Sequence, residues 1–138
     1  MSQEAAEKRT VADLIYEIRK RTQADKIEWR EFADSRGADY GFGLAAYLDA
    51  DHSIYARLEM FHHRRDMGTR SAIDSPPHDF YEPSLIVRDA EGEIMVSVQA
   101  PDGDTTKRLH ELATEIRASI ARRSSVNIDR VIEKMPAL

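Results

Sequence analysis

The chain has 138 residues, 41% hydrophobic and 33% charged, with a formal net charge of −5 and no cysteine. That length fits one domain able to bury roughly two thirds of its unfolded-chain surface. The missing cysteines exclude disulfides, thiolate metal sites and a cysteine nucleophile, and the acidic balance argues against wholesale binding of nucleic acid or anionic membrane.

The opening MSQEAAEKRT lacks the apolar core of a secretory signal. The longest uninterrupted apolar run, Leu44 to Leu48, falls far short of the ~20 residues that span a bilayer. A cytoplasmic protein is expected, with residues 1–9 as a flexible tail and 10–136 as a single α+β domain. Thr10 is the expected N-cap of a first helix, with Asp13 completing an acidic capping box. Val11, Leu14, Ile15 and Ile18 form its apolar stripe, and Arg19, Lys20 and Arg21 crowd its end, where the helix dipole favours cations. Ile27 and Trp29 alternate with charged residues as a short first strand.

Tyr40, Phe42, Leu44, Ala46 and Leu48 recur at every second position, as do Ile54, Ala56, Leu58 and Met60. Strict alternation predicts a hairpin with one buried face, Leu48 lying opposite Ile54, Ala46 opposite Ala56, Leu44 opposite Leu58 and Phe42 opposite Met60. Gly41 and Gly43 fall on the other face, where either a helix crosses or the strand bends. Residues 62–79, HHRRDMGTRSAIDSPPHD, carry no periodic pattern and are expected as a long loop.

A second hairpin follows, with Val87 opposite Ile94, Leu85 opposite Val96 and Arg88 opposite Glu93 across the turn Asp89-Ala90-Glu91-Gly92. Pro83 cannot donate to a ladder, so the fourth strand begins at an edge or pairs fully only beyond it. A helix over about 104–123, capped by Asp104 or Thr105, buries Leu109, Leu112, Ala113, Ile116 and Ile120. Asn127 then caps a short final helix built on Ile128, Val131 and Ile132, and Pro136 stops it. The predicted fold is α+β: helix, three strands, long loop, two strands and two helices, with an antiparallel sheet of about five strands.

Chemistry-bearing motifs are sparse. His62, His63, Asp66 and His78 near the loop ends are the one histidine group that a metal could use. Adjacent strand histidines point to opposite faces, however, and no i, i+4 pair is present. HHRRDMG has its aspartate one residue early for the HHxxxDG motif of condensation domains. His78-Asp79 follows two prolines, where HD phosphohydrolases use a helix. There is no GxSxG and no phosphate-cradling glycine loop. No catalytic residue, metal ligand or cofactor is assigned.

The expected activity is that of a non-catalytic binding, adaptor or chaperone-like module. Its contact surface would be Phe61, His62, Arg64, Arg65 and Arg70 at the loop, with Trp29 and Tyr47 as aromatic anchors. The partner would be another protein; a membrane is excluded and nucleic acid is not expected. Two alternatives are a small metal-dependent enzyme using the loop histidines and a nucleic-acid-responsive regulator built on the loop arginines.

Two resemblances accompany this reading. Ile27-Glu28-Trp29, the Val87–Glu93 hairpin VRDAEGE, the opening helix and the two closing helices resemble a loose group of small bacterial proteins. That likeness implies a fold and no activity. The order of elements is also similar to type III secretion chaperones, which implies an acidic cytosolic homodimer that binds extended effector segments. Those chaperones place a dimerising helix between strands three and four, whereas residues 62–79 carry no helical stripe.

Overall fold

Period-two patterning becomes a five-stranded antiparallel meander in strand order, and period-3.6 patterning becomes two helices on one of its faces. The computed structural model describes residues 8–33, 41–64, 79–99 and 102–138. Among these, the elements are α1 (Val11–Gln23), β1 (Arg30–Ala33), β2 (Gly41–Tyr47), β3 (Tyr55–Arg64), β4 (Asp79–Arg88), β5 (Ile94–Val98) and α2 (Gly103–Lys134). The architecture is the expected α+β.

The first hairpin has the expected register: Phe42 faces Met60, Leu44 faces Leu58 and Ala46 faces Ala56, while Leu48 donates its N–H to the Ile54 carbonyl. Asp49 closes the turn by accepting from the Ser53 and Ile54 N–H groups, both at 2.9 Å. Leu44, Ala46, Ala56, Leu58, Met60, Leu85, Val87 and Val98 make one sheet face and pack against Ile15 and Ile18 of α1 and Leu109, Leu112, Ala113 and Ile116 of α2. The α1 capping box forms as expected, Thr10 N–H meeting Asp13 Oδ2 at 2.7 Å and Asp13 N–H meeting Thr10 Oγ1 at 3.3 Å.

Five expectations need correction. Ile27 and Trp29 precede the first strand, which starts at Arg30; both side chains are drawn into the core instead. The expected loop 62–79 is shorter, because His62, His63 and Arg64 pair with Tyr81, Phe80 and Asp79; residues 65–78 lie outside the described residues.

The second hairpin is shifted by two residues: Val87 pairs with Val96, Leu85 with Val98, and Arg88 with Ile94 rather than Glu93. Asp89 is the cause. Its Oδ1 accepts from both Glu91 and Glu93 N–H, and its backbone bonds Glu93, leaving a three-residue loop that ends on Gly92 at φ +85°. A bulge between Val87 and Arg88 then restores the apolar face. Pro83 lies in the part of β4 that β5 does not reach, as its missing N–H requires.

The fourth correction concerns the closing helices, which are one continuous α2 of 32 residues, N-capped by Asp102 rather than by the expected Asp104 or Thr105. Ser124, Ser125 and Asn127 are weak helix formers, each costing well under ~1 kcal/mol, and no Gly or Pro lies between Asp104 and Met135 to break the ladder. The fifth concerns Gly43: neither a crossing helix nor a bend covers it. The ring of Phe32 lies on it from β1, and a Cβ built at Gly43 would sit 1.9 Å from Phe32 Cζ. The Arg57 guanidinium stacks on the same ring, 4.2 Å from its centroid.

Two stability predictions follow from this packing. Gly43→Ala forces the Phe32 ring and its Arg57 partner aside, costing about 1–3 kcal/mol. The Phe32→Ala/Gly43→Ala double variant should cost less than the sum of the singles. Urea denaturation of the four proteins reads this coupling, and strict additivity would remove the ring from the account. Thr22→Val leaves the buried Trp29 Nε1–H without its acceptor, now 3.0 Å away, and should destabilise by about 1–3 kcal/mol. Thr22→Ser keeps the hydroxyl and should cost only the ~0.8 kcal/mol of one buried carbon.

Candidate functional site

The site is built along α2, whose apolar stripe is longer than the sheet beneath it. At 1.5 Å per residue α2 is about 48 Å long. Its first two thirds is fastened down. Arg117 reaches Glu31 at 2.6 Å and stacks over the Phe42 ring at 3.7 Å. Ser119 Oγ donates to Asp25 Oδ1 at 2.7 Å, and Arg122 Nη2 donates to the same oxygen at 2.9 Å. Arg123 Nη2 donates to the Trp29 carbonyl at 3.0 Å. Beyond Arg123 every residue is exposed.

The apolar period continues regardless. Val126, Ile128, Val131, Ile132 and Met135 are 52–61% exposed. Ile128, Val131 and Ile132 border, with Ile120, Arg123 and Trp29, an open cleft of about 430 Å³ where the helix leaves the domain, while Val126 lies on the opposite side of the helix. A patch of that kind on a domain surface marks a contact site.

Asp25 sets the angle at which α2 lies on α1. It occupies the left-handed position after α1, at φ +55°, with its N–H on the Thr22 carbonyl and the Lys26 N–H on the Arg21 carbonyl. Those two bonds are a Schellman C-cap, a position that favours Gly. Here an aspartate serves because its carboxylate reaches across to α2. The hydrogen bonds from Arg122, and then from Ser119, hold its pKa down at about 2. A second set of contacts runs along the same seam: Arg19 meets Glu111 at 2.7 Å and Glu115 at 3.5 Å, and Gln23 meets Glu115 at 3.1 Å.

The residues singled out from sequence are dispersed. Trp29 is 2% exposed, so the structure places it in the core rather than on a surface. Tyr47 is exposed at the end of β2, its ring stacked on His52 at 4.5 Å and tilted against Tyr55 at 5.2 Å. Phe61 is half-buried on the helix-free face of the sheet. His62 and Arg64 are strand residues in β3, and Arg65, Arg70, Asp66 and His78 lie outside the described residues. The helix-free face also holds a hollow of about 570 Å³ bordered by Arg30, Phe32, Tyr47, His52, Tyr55 and Arg57. Its central cation is occupied, Arg57 meeting Glu59 at 2.7 Å.

Among the described residues no three His, Asp or Glu side chains come together to hold a metal ion, and no helix is long and apolar enough to cross a membrane. The overhanging stripe escaped sequence reading because Ile128, Val131 and Ile132 show helical period equally well over a core or over solvent. Comparison with protein-family models, curated proteins and solved structures finds no match.

The Asp25 seam carries a pH dependence. Its carboxyl titrates lower in the folded chain than the ~3.9 of an unfolded one. Its contribution is therefore complete above about pH 4 and is lost as pH falls toward about 2. Asp25→Asn should lower the melting temperature at pH 7, and the gap from wild type should close between about pH 4 and 2. A gap that is constant over that range would show that the charge is irrelevant.

Proposed function

We propose that this chain is a non-catalytic, cytoplasmic protein-binding module whose principal contact surface is the overhanging last third of α2. The observation that carries this reading is the stripe of four large apolar side chains, Ile128, Val131, Ile132 and Met135, each more than half exposed, at the end of a helix whose first two thirds is packed and fastened. A free helical stretch of about 11 residues is marginal in water, and β-branched Val126, Ile128, Val131 and Ile132 weaken its propensity further. Burying that stripe against a partner offsets both costs. An amphipathic helix offering i, i+3, i+4 and i+7 anchors is a recurrent mode of protein recognition.

The test compares immobilised wild type with an Ile128→Asp/Val131→Asp variant in native lysate. A protein retained at near-equal stoichiometry by wild type and lost by the variant is the expected result. Both substituted positions are solvent-exposed, so unfolding free energy should stay within about 0.5 kcal/mol of wild type. Equal retention by the two proteins would move the contact surface elsewhere, and the Tyr47–Phe61 face of the sheet would be the next to vary.

A further inference from the structure

We infer that the free edge of β5 takes an extended segment of another protein as an added strand, whose alternate apolar side chains enter the hollow between β5 and α1. This site shares no residue with the α2 cleft and does not depend on it.

The two edges of the sheet are β1 and β5, and they are unlike. β1 presents Arg30 and Glu31, and Glu31 is engaged by Arg117 of α2. β5, with the sequence IMVSV, carries no charge and no proline, the usual devices that keep an edge from pairing. Its one such device is the bulge that leaves Met95 unpaired, and that lies near the start of the strand. From Val96 to Val98 the ladder to β4 is regular. Among the described residues the outward N–H and C=O groups of this stretch meet no other strand.

A second observation supplies places for side chains. Beside β5, on the face covered by the helices, lies a hollow of about 850 Å³ bordered by Val11, Leu14 and Glu17 of α1 and by Val96. Leu14 and Val96 pack against the core while staying partly open, and Val11 is exposed, so both elements offer it apolar surface. Lys8 and Arg9 stand at its end. Its other charges are engaged within α1, where Arg21 holds Glu17 and Asp13 closes the capping box with Thr10. A strand added to β5 would run about 4.8 Å beyond it, with every second side chain on the helix-covered face next to Val96. The ladder then gives affinity for an extended backbone, and the hollow selects apolar side chains at alternate positions.

The occupant must bring side chains that are free to enter. β5 of a second copy does not, because Val96 and Val98 on its helix-covered face already pack in that copy's own core. Residues 1–7 of this chain, MSQEAAE, have Met1 as their only large apolar residue, and apolar residues do not alternate in residues 65–78.

The experiment uses the full chain and a fluorescein-labelled peptide of about eight residues alternating Val and Thr. Fluorescence anisotropy should show saturable binding that falls about 10-fold or more when Ser replaces Val. N-methylation of one alternate set of peptide nitrogens should abolish binding and of the other set should spare it, because only one set faces β5. Bound peptide should slow hydrogen exchange of the amides between Val96 and Val98. Val11→Asp puts a charge in the hollow and should weaken binding about 10-fold, while an acidic residue in the first turn suits the helix. Ile128→Asp/Val131→Asp should bind the peptide as wild type does. Absence of binding, equal loss from both methylated sets, or unchanged β5 exchange would overturn the added strand. Equal binding of the Ser peptide, or no effect of Val11→Asp, would overturn the role of the hollow. Loss of binding in Ile128→Asp/Val131→Asp would transfer the peptide to α2 and overturn the β5 site. A dimer in sedimentation equilibrium that the peptide dissociates would make a second copy the occupant of the edge.

Discussion

Trp29 is the residue on which the arrangement of the helices depends. Its indole N–H donates to Thr22 Oγ1 at the end of α1, and that hydroxyl donates onward to the Ile18 carbonyl. Its own carbonyl accepts from Arg123 of α2. One side chain and its backbone thus join the last turn of α1, the connection into the sheet and the point at which α2 leaves the domain. Burying an indole supplies a large apolar area, and satisfying its single donor removes the penalty that would otherwise accompany it. The position explains why Ile27-Glu28-Trp29 is not strand: an extended ladder there would compete with the turn that delivers the ring to the core.

Around that centre the two helices share the apolar core and are also joined by charge. Arg19 with Glu111 and Glu115, and Asp25 with Ser119 and Arg122, form a seam along one side of α2. Arg117 with Glu31 and Phe42 holds the other side. Exposed ion pairs contribute little singly. Their value here is directional, since they fix the rotation and position of α2 along the sheet. With α2 held so as far as Arg123, the direction of its last third follows from the helix itself.

The sheet divides the molecule into two unlike surfaces. One face is roofed by both helices. The other is roofed by single side chains, Phe32 over Gly43 and Arg57 over Phe32. A glycine under a neighbouring aromatic ring replaces backbone exposure with ring contact, on a face that no helix among the described residues covers. Tyr47, His52 and Tyr55 continue the aromatic surface at one end. Among the described residues, Ile128, Val131, Ile132 and Met135 of the α2 end are left exposed, as are Ile94 and Met95 of β5.

Much of this was legible in the residues alone. The capping box at Thr10, the alternation that sets the register of the first hairpin, the left-handed Gly92 and the buried stripe from Leu109 to Ile116 are consequences of local periodicity and backbone sterics. Those act within a few residues and leave a direct imprint on sequence. The two-residue shift of the second hairpin was decided by an Asp89 side chain that captured two backbone donors. Passage of α2 through Ser124–Asn127 was a balance of small propensities that no single position announces. The Trp29 carbonyl on Arg123, Phe32 on Gly43 and Asp25 reaching Arg122 join residues distant in the chain, so only the folded arrangement could reveal them. The sequence by itself determined that Ile128, Val131 and Ile132 lie along one helical face. Only the tertiary structure decided that this face meets solvent, because periodicity records which side of a helix is apolar and carries no information about whether anything lies beneath it.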